Sequence, residues 1–150
     1  MELTICDIMR FLEHRYPFLM VDAIDDISRG EYVVARKNVT ANEYWNQGHF
    51  AGNPIFPGVL IIEACAQAGA FIFFDEIKDD GHKMSGMLTK VNDFKFIKSV
   101  RPGDVMKIDV RLIEHYDSIT KVKASVFVDE KKVACGSITY VTNKGEPDIW

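Results

Sequence analysis

His49 and Glu63 are the side chains of this sequence best suited to moving protons, and both fall in one stretch, GHFAGNPIFPGVLIIEACAQAGA, from Gly48 to Ala70. His49 sits between Gly48 and Gly52, where missing side chains let backbone approach a ligand closely. From its surroundings it is either a general base or a core histidine bonded to a backbone carbonyl. Glu63 lies in an almost wholly apolar run that begins at Val59. A carboxylate buried without a partner in such a run is costly and favours its protonated form, so it becomes a proton donor or acceptor near neutral pH. The alternative is a helix residue that reaches solvent or pairs with a lysine. Gln67, one helical turn on, is placed either to orient Glu63 through an amide hydrogen bond or simply as a polar residue at the core edge. Cys65 faces elsewhere on the helix and reads as an inert buried thiol.

An imidazole, a protonated carboxyl and a helix N-terminus together suit α-proton chemistry on a carbonyl compound. His49 takes the α-proton, and the free amides of Gly58 and Val59 polarise the carbonyl oxygen as charge develops. Glu63 gives a proton to the leaving group on the β-carbon, so water is eliminated. The scheme requires no metal and no organic cofactor. A GxSxG elbow, a P-loop and a GxGxxG fingerprint are all absent from the sequence. The histidines His14, His49, His82 and His115 lack metal-ligand spacing. His82 and His115 read as solvated surface, and His14 as a structural residue that positions the sheet edge.

The elements that must hold these groups follow from pattern. Pro57 and Gly58 suit a helix start, and Leu60, Ala64, Ala68 and Phe71 recur at helical spacing. The helix is apolar almost all round and predicts burial on most sides, from Gly58 to Asp75 or beyond, about 18 residues and roughly 27 Å. Upstream, Thr4 is placed to cap a short helix with Ile5, Ile8, Met9 and Leu12 on one face, ending before Pro17. Phe18–Ile24 and Glu31–Val39 read as strands joined by a turn at Ser28-Arg29-Gly30. The segment from Lys78 to Lys83 is a polar break. After it, Met87–Val100, Val105–His115, Ile119–Asp129 and Val133–Thr142 read as strands, and Met106, Ile108, Val110 and Leu112 alternate with Lys107, Asp109 and Arg111 as in a half-buried antiparallel strand. One apolar helix and about six strands pack only if the sheet curls around the helix, which predicts a single α+β domain over 1–150, with small residues such as Ala64, Ala68 and Gly69 admitting strand backbones. The later strands follow one another without helices between them, which disfavours a doubly wound fold.

Composition bounds the function. Apolar residues make up 47% of the chain, enough for a core, and the net charge of −4 argues against nucleic acid as partner. Cys6, Cys65 and Cys135 are odd in number and widely spaced, which points to a reduced, cytoplasmic setting. The start, MELTICDIMRF, does not have the pattern of a secretory signal, and the uncharged run Ala64–Phe74 is too short to span a bilayer.

Two motifs carry a resemblance. His14-Arg15-Tyr16-Pro17-Phe18-Leu19 with Val21-Asp22 resembles the N-terminal motif of the bacterial 3-hydroxyacyl-[acyl-carrier-protein] dehydratases of type II fatty-acid synthesis. Gly48-His49-Phe50, Gly52, Pro54–Leu60, Glu63-Ala64 and Ala66-Gln67-Ala68 look like their active-site motif, and Pro102-Gly103-Asp104 matches a later turn. The resemblance implies a hot-dog fold, with a curved antiparallel sheet wrapped around one long central helix. It places the catalytic pair at His49 and Glu63, meeting across a homodimer interface, with dimers assembled as trimers of dimers. It implies dehydration of (3R)-3-hydroxyacyl-[acyl-carrier-protein] to the trans-2-enoyl product. Gly58, Val59 and Phe50 fall on the substrate side, and Phe94 and Phe96 either line an acyl tunnel or belong to the core. Glu63, rather than aspartate, resembles the dehydratase-only branch more than the isomerising one. Ala51 and Asn53 depart from the family pattern, which often has proline and a basic residue there. The acidic carrier protein, with its phosphopantetheine-linked acyl chain, would need a local basic patch. Lys90, Lys95, Lys98 and Arg101 are the candidates, or a solvated strand face. The rival functions are a hot-dog thioesterase, which would release free thiol, and a non-catalytic acyl-thioester binding module.

Overall fold

The computed structural model describes residues 1–74, 84 and 86–142. Two helices and six strands follow in the order α1 (Ile5–Phe11), β1 (Ala23–Ser28), β2 (Tyr32–Asn38), α2 (Gly58–Gly69), β3 (Gly86–Phe96), β4 (Val105–Tyr116), β5 (Ile119–Val128) and β6 (Lys131–Thr142). The polar break from Lys78 to Lys83, with His82, lies outside the described residues, as does the tail from Asn143 to Trp150.

At the start of α1 the Asp7 carboxylate accepts both the Thr4 amide at 2.9 Å and the Thr4 hydroxyl at 2.6 Å, which ties off the first turn. Ile8 and Leu12 are buried, whereas Ile5 and Met9 stay exposed, so only part of the expected apolar face meets the core. β1 starts at Ala23 rather than at Phe18. The Phe18 carbonyl and the Met20 amide are instead taken by the side chain of Gln67 on α2, so this stretch needs no ladder partner there.

α2 is shorter than its sequence pattern predicts. Its 12 residues continue as a 3₁₀ turn over Ala70–Phe73. The buried Tyr140 hydroxyl donates to the Gly69 carbonyl at 2.7 Å, which fixes the end of α2 to β6. Leu60, Ile61, Ala64, Cys65, Gln67, Ala68 and Gly69 are buried along the helix, and burial pushes the Cys65 thiol well above its ordinary range.

All neighbouring strands are antiparallel, in the order β1-β2-β4-β5-β6-β3. α2 packs against β2, β4 and β6. The buried side chains of the sheet include Val33 and Ala35 on β2, Met106, Ile108 and Val110 on β4, Val122, Ala124 and Val126 on β5, and Val133, Ala134, Ile138 and Tyr140 on β6. This is the α+β architecture expected from the alternating pattern, a six-stranded antiparallel sheet around a central helix.

Among the described residues β3 is an edge strand paired only to β6, with register breaks at Leu88/Lys90 and Asn92/Lys95 and a left-handed Asp93 (φ 49°). Phe94 packs against Gly136 of β6. A Cβ at position 136 would stand 2.3 Å from Phe94 Cδ2 and 2.7 Å from its Cα. Met87, Leu88, Val91, Phe96 and Ile97 are all exposed along this edge. Among the described residues no helix is long and apolar enough to cross a membrane.

Candidate active site

His49 is held by its loop. Its amide donates to the Trp45 carbonyl at 3.0 Å, and its own carbonyl accepts the Ile55 amide at 2.8 Å. Its Nδ1 lies 2.7 Å from the Ile55 carbonyl oxygen. A carbonyl can only accept, so Nδ1 carries the proton and Nε2 keeps its lone pair. The backbone bond of the second sequence-based alternative is present, and it is compatible with the first because it leaves the lone pair on the other nitrogen. Phe50 stacks on the imidazole at 4.1 Å between ring centroids and is largely exposed.

The loop's anchorage is ionic as well as apolar. Lys37 is buried, and its ammonium lies 2.8 Å from Glu43 Oε1 and 2.8 Å from the Asn38 carbonyl oxygen, to which it donates. The other Glu43 oxygen accepts the Thr40 amide at 2.8 Å. Trp45 is buried edge-on against Phe56, so the segment leading into His49 is fixed at both ends.

His49 opens onto a cleft of about 470 Å³ lined by Gly58, Val59, Ile61, Phe96 and Lys98 among others. Space of this size suits a small organic ligand. The first turn of α2 closes with the Leu60 and Ile61 amides on the Pro57 carbonyl, at 3.0 and 3.1 Å, which leaves the Gly58 and Val59 amides ahead of the first intrahelical bonds. Gly58 is bare for a reason: a Cβ there would meet the Phe96 ring at 2.9 Å. Phe96 thus lines the His49 cleft, whereas Phe94 is packed on Gly136 outside it.

Glu63 opens onto a different cavity, about 60 Å³, shared with Leu12, His14, Ala66, Leu88 and Tyr140. From Gly58 to Glu63 is five residues, about 7.5 Å along the helix axis and roughly 140° around it. Within one chain His49 and Glu63 therefore line separate spaces. Nor is Glu63 unpaired, as its apolar surroundings suggested. Its side chain is 20% exposed, and its Oε1 accepts a 2.7 Å hydrogen bond from Gln67 Nε2. The orientation of that amide is forced. Gln67 Oε1 accepts the Met20 amide at 2.8 Å, and Nε2 also donates to the Phe18 carbonyl at 2.7 Å. His14 Nε2 lies 3.5 Å from the same Glu63 oxygen, a contact the sequence did not signal beyond the unusual segment that contains it.

The candidate docking residues Lys90, Lys95, Lys98 and Arg101 are all exposed. They are not equivalent. Lys98 and Ser99 line both the His49 cleft and an adjoining one of about 400 Å³ that adds Arg101, Asp104, Asp129 and Lys131. Arg101 is already committed to the loop that carries His49, donating to Asn53 Oδ1 at 2.6 Å. Lys90 and Lys95 sit on β3, opposite Thr139 and Cys135, and line neither cleft. Lys131, the first residue of β6, lines the adjoining cleft beside Lys98 and Arg101, and its place there is not signalled by the sequence because it lies 30 residues beyond Arg101.

Comparison with known proteins bears on the family and the fold. The family model of the FabA-like domain matches residues 12–137. A protein of Enterococcus faecalis described as 3-hydroxyacyl-[acyl-carrier-protein] dehydratase FabZ is 43% identical over 143 residues, covering 94% of this chain and 99% of that protein. One of the same description from Lactobacillus helveticus is 40% identical and covers 93% of each chain. Among solved structures, the dehydratase heterocomplex ApeI:P of Xenorhabdus doucetiae superposes with a TM-score of 0.70 at 16% identity, over 93% of this chain and 92% of that one. The protein smu.793 of Streptococcus mutans, bound to acetyl CoA, superposes with a TM-score of 0.61 at 18% identity, over 87% and 94%. At such identities the superpositions speak for the fold alone, and that fold is the hot-dog.

Proposed function

We propose for this chain, which belongs to the FabA-like family, the dehydration of (3R)-3-hydroxyacyl-[acyl-carrier-protein] to the trans-2-enoyl thioester by His49 and Glu63. Its class is a hydro-lyase of fatty-acid synthesis, as in the relatives that match it nearly end to end. The observation that carries the finer reading is the hydrogen bond from His49 Nδ1 to the Ile55 carbonyl at 2.7 Å, which leaves Nε2 as a base inside a cleft that ends at a helix N-terminus.

In the proposed step the thioester carbonyl rests on the Gly58 and Val59 amides, where the helix dipole favours the charge that develops on its oxygen. His49 Nε2 takes a proton from C2. The electron pair left behind forms the C2–C3 double bond as the C3–O bond breaks, and Glu63 protonates the departing hydroxyl so that it leaves as water. The enzyme then holds an imidazolium and a carboxylate, and one proton returned from His49 to Glu63 restores it.

The separate cavities of His49 and Glu63 favour a site completed by a second copy, in which the histidine of one protomer faces the carboxyl of the other. The bare β3 edge, with its exposed Met87, Leu88, Val91, Phe96 and Ile97, is the surface such a homodimer would cover. Three such dimers would form the hexamer that the family resemblance implies. The phosphopantetheine arm of the carrier would enter past Lys98 and Arg101.

Complementation tests the shared site. His49→Ala and Glu63→Gln proteins, each inactive alone but folded, are mixed under exchange or co-expressed. Random pairing makes half of the dimers hybrid, each with one intact site of two, so about a quarter of wild-type turnover returns. No recovery would place the pair within one chain, and near-normal turnover in either variant alone would remove that residue from the chemistry. The assay follows enoyl thioester, since release of free thiol would favour hydrolysis instead.

A further inference from the structure

We infer that His14 is a positioning residue for Glu63: with Gln67 it holds Glu63 Oε1 as an acceptor and so assigns the acidic proton to Oε2. The inference rests on the proposed role of Glu63 and extends it to the atom. Two nitrogens converge on one oxygen, Gln67 Nε2 at 2.7 Å and His14 Nε2 at 3.5 Å. Gln67 must donate there, because its carbonyl end is fixed by the Met20 amide.

The tautomer of His14 follows from its other nitrogen. Nδ1 is buried and has no hydrogen-bond partner among the described residues. A proton on Nδ1 would be a buried donor without an acceptor, which costs more than an idle lone pair on a weak acceptor. The proton therefore sits on Nε2, the nitrogen that lies 3.5 Å from Glu63 Oε1. At 3.5 Å the contact is long for a hydrogen bond, as catalytic contacts often are before substrate closes the site.

With one N–H donated to Oε1 and a second beside it, a proton on that oxygen would meet other protons, so neutral Glu63 carries it on Oε2. Once Oε2 has given its proton to the departing hydroxyl, the same two donors stabilise the carboxylate that results. The surrounding segment is built to keep His14 in place. Arg15 donates to the His14 carbonyl at 2.6 Å, to Leu12 at 2.8 Å and to Met9 at 2.7 Å, and the imidazole lies parallel to Phe18 at 6.4 Å.

The test compares His14→Phe with His14→Gln. Phenylalanine keeps a ring beside Phe18 but has no N–H, while glutamine loses the ring and restores an N–H at nearly the same reach. The expected result is a kcat about tenfold lower for His14→Phe with KM within twofold, and recovery of most of that loss in His14→Gln. A purely structural role predicts the opposite order, with phenylalanine tolerated and glutamine not. Wild-type kcat in His14→Phe, or equal kcat in the two variants, overturns the inference. Glu63→Gln is measured alongside: turnover there defeats the parent assignment, whereas its loss beside an active His14→Phe defeats only the role of His14.

Discussion

Replacing Gln67 by leucine removes the hydrogen bonds that join the segment before β1 to the central helix. Gln67 is 2% exposed, and its amide satisfies the Met20 amide, the Phe18 carbonyl and Glu63 Oε1. Met20 is 1% exposed, so its orphaned N–H carries a full desolvation penalty of about 1–3 kcal/mol. Phe18 is half exposed and Glu63 partly so, and water can take over there at a cost of about 0.5–1 kcal/mol each. The leucine recovers about 1 kcal/mol through apolar burial. The net loss is about 1–4 kcal/mol, which for a urea slope near 2 kcal/mol/M lowers the midpoint by about 0.5–2 M. Unfolding is followed by fluorescence at one fixed protein concentration, since association contributes to apparent stability. Turnover should fall at least tenfold, because Glu63 loses its shorter donor. Gln67→Glu is the control. It keeps the volume and the acceptor for Met20, but it sets a second carboxylate against Glu63 and the Phe18 carbonyl. It should be no better than leucine at pH 7 and should recover as the pH falls toward 4. A midpoint shift below about 0.3 M with unchanged kcat would refute the reasoning.

Three shorter predictions follow from other contacts. Gly58→Ala places a Cβ 2.9 Å from the Phe96 ring, which is half exposed and can give way, so the melting temperature should hold while kcat/KM falls severalfold; unchanged kinetics would separate Phe96 from the site. Tyr140→Phe leaves the buried Gly69 carbonyl without its donor and should cost about 1–2 kcal/mol, seen as a Tm drop of roughly 3–6 °C by calorimetry. Asp26 accepts the Tyr32 hydroxyl, the Met1 ammonium and the Ile27 amide, which hold its carboxyl below the ordinary value of 3.8. Its folded pKa is depressed, so its stabilisation is present above pH 3.8 and is lost as pH falls through the lower folded value. The Tm gap between wild type and Asp26→Asn should therefore be steady from about pH 5 to 7 and close at more acid pH; a gap that persists there would contradict the contact.

The sequence was informative where local pattern and tertiary role agree. In β4 the alternation of Met106, Ile108 and Val110 with Lys107, Asp109 and Arg111 is the same pattern as the burial that the structure shows. Pro57 marks the start of α2 because a proline at that boundary gives up no helical amide bond. The far end of α2 carried no such mark, since the apolar run continues through Phe74 and the change to a 3₁₀ turn leaves no trace in hydropathy. Phe18–Asp22 reads as strand from composition alone, yet some of its backbone groups are satisfied by Gln67, 47 and 49 residues away. His14 was hidden for the same reason. Its meaning lies in a carboxylate 49 residues downstream, and no periodicity reports on that. The separation of His49 and Glu63 into two cavities was likewise invisible to spacing, because helical rotation decides which side of α2 each one meets.

Phe94 and Gly136 stand 42 positions apart in the chain, yet the strand that carries the first holds the second to glycine. A methyl group gained at 136 has no room, because it strikes both a ring and a main-chain carbon. Trimming the aromatic frees only the ring's share of that space, since the Phe94 Cα stays 2.7 Å from such a Cβ. Libraries that randomise these positions, singly or as a pair, should therefore return alanine at 136 rarely.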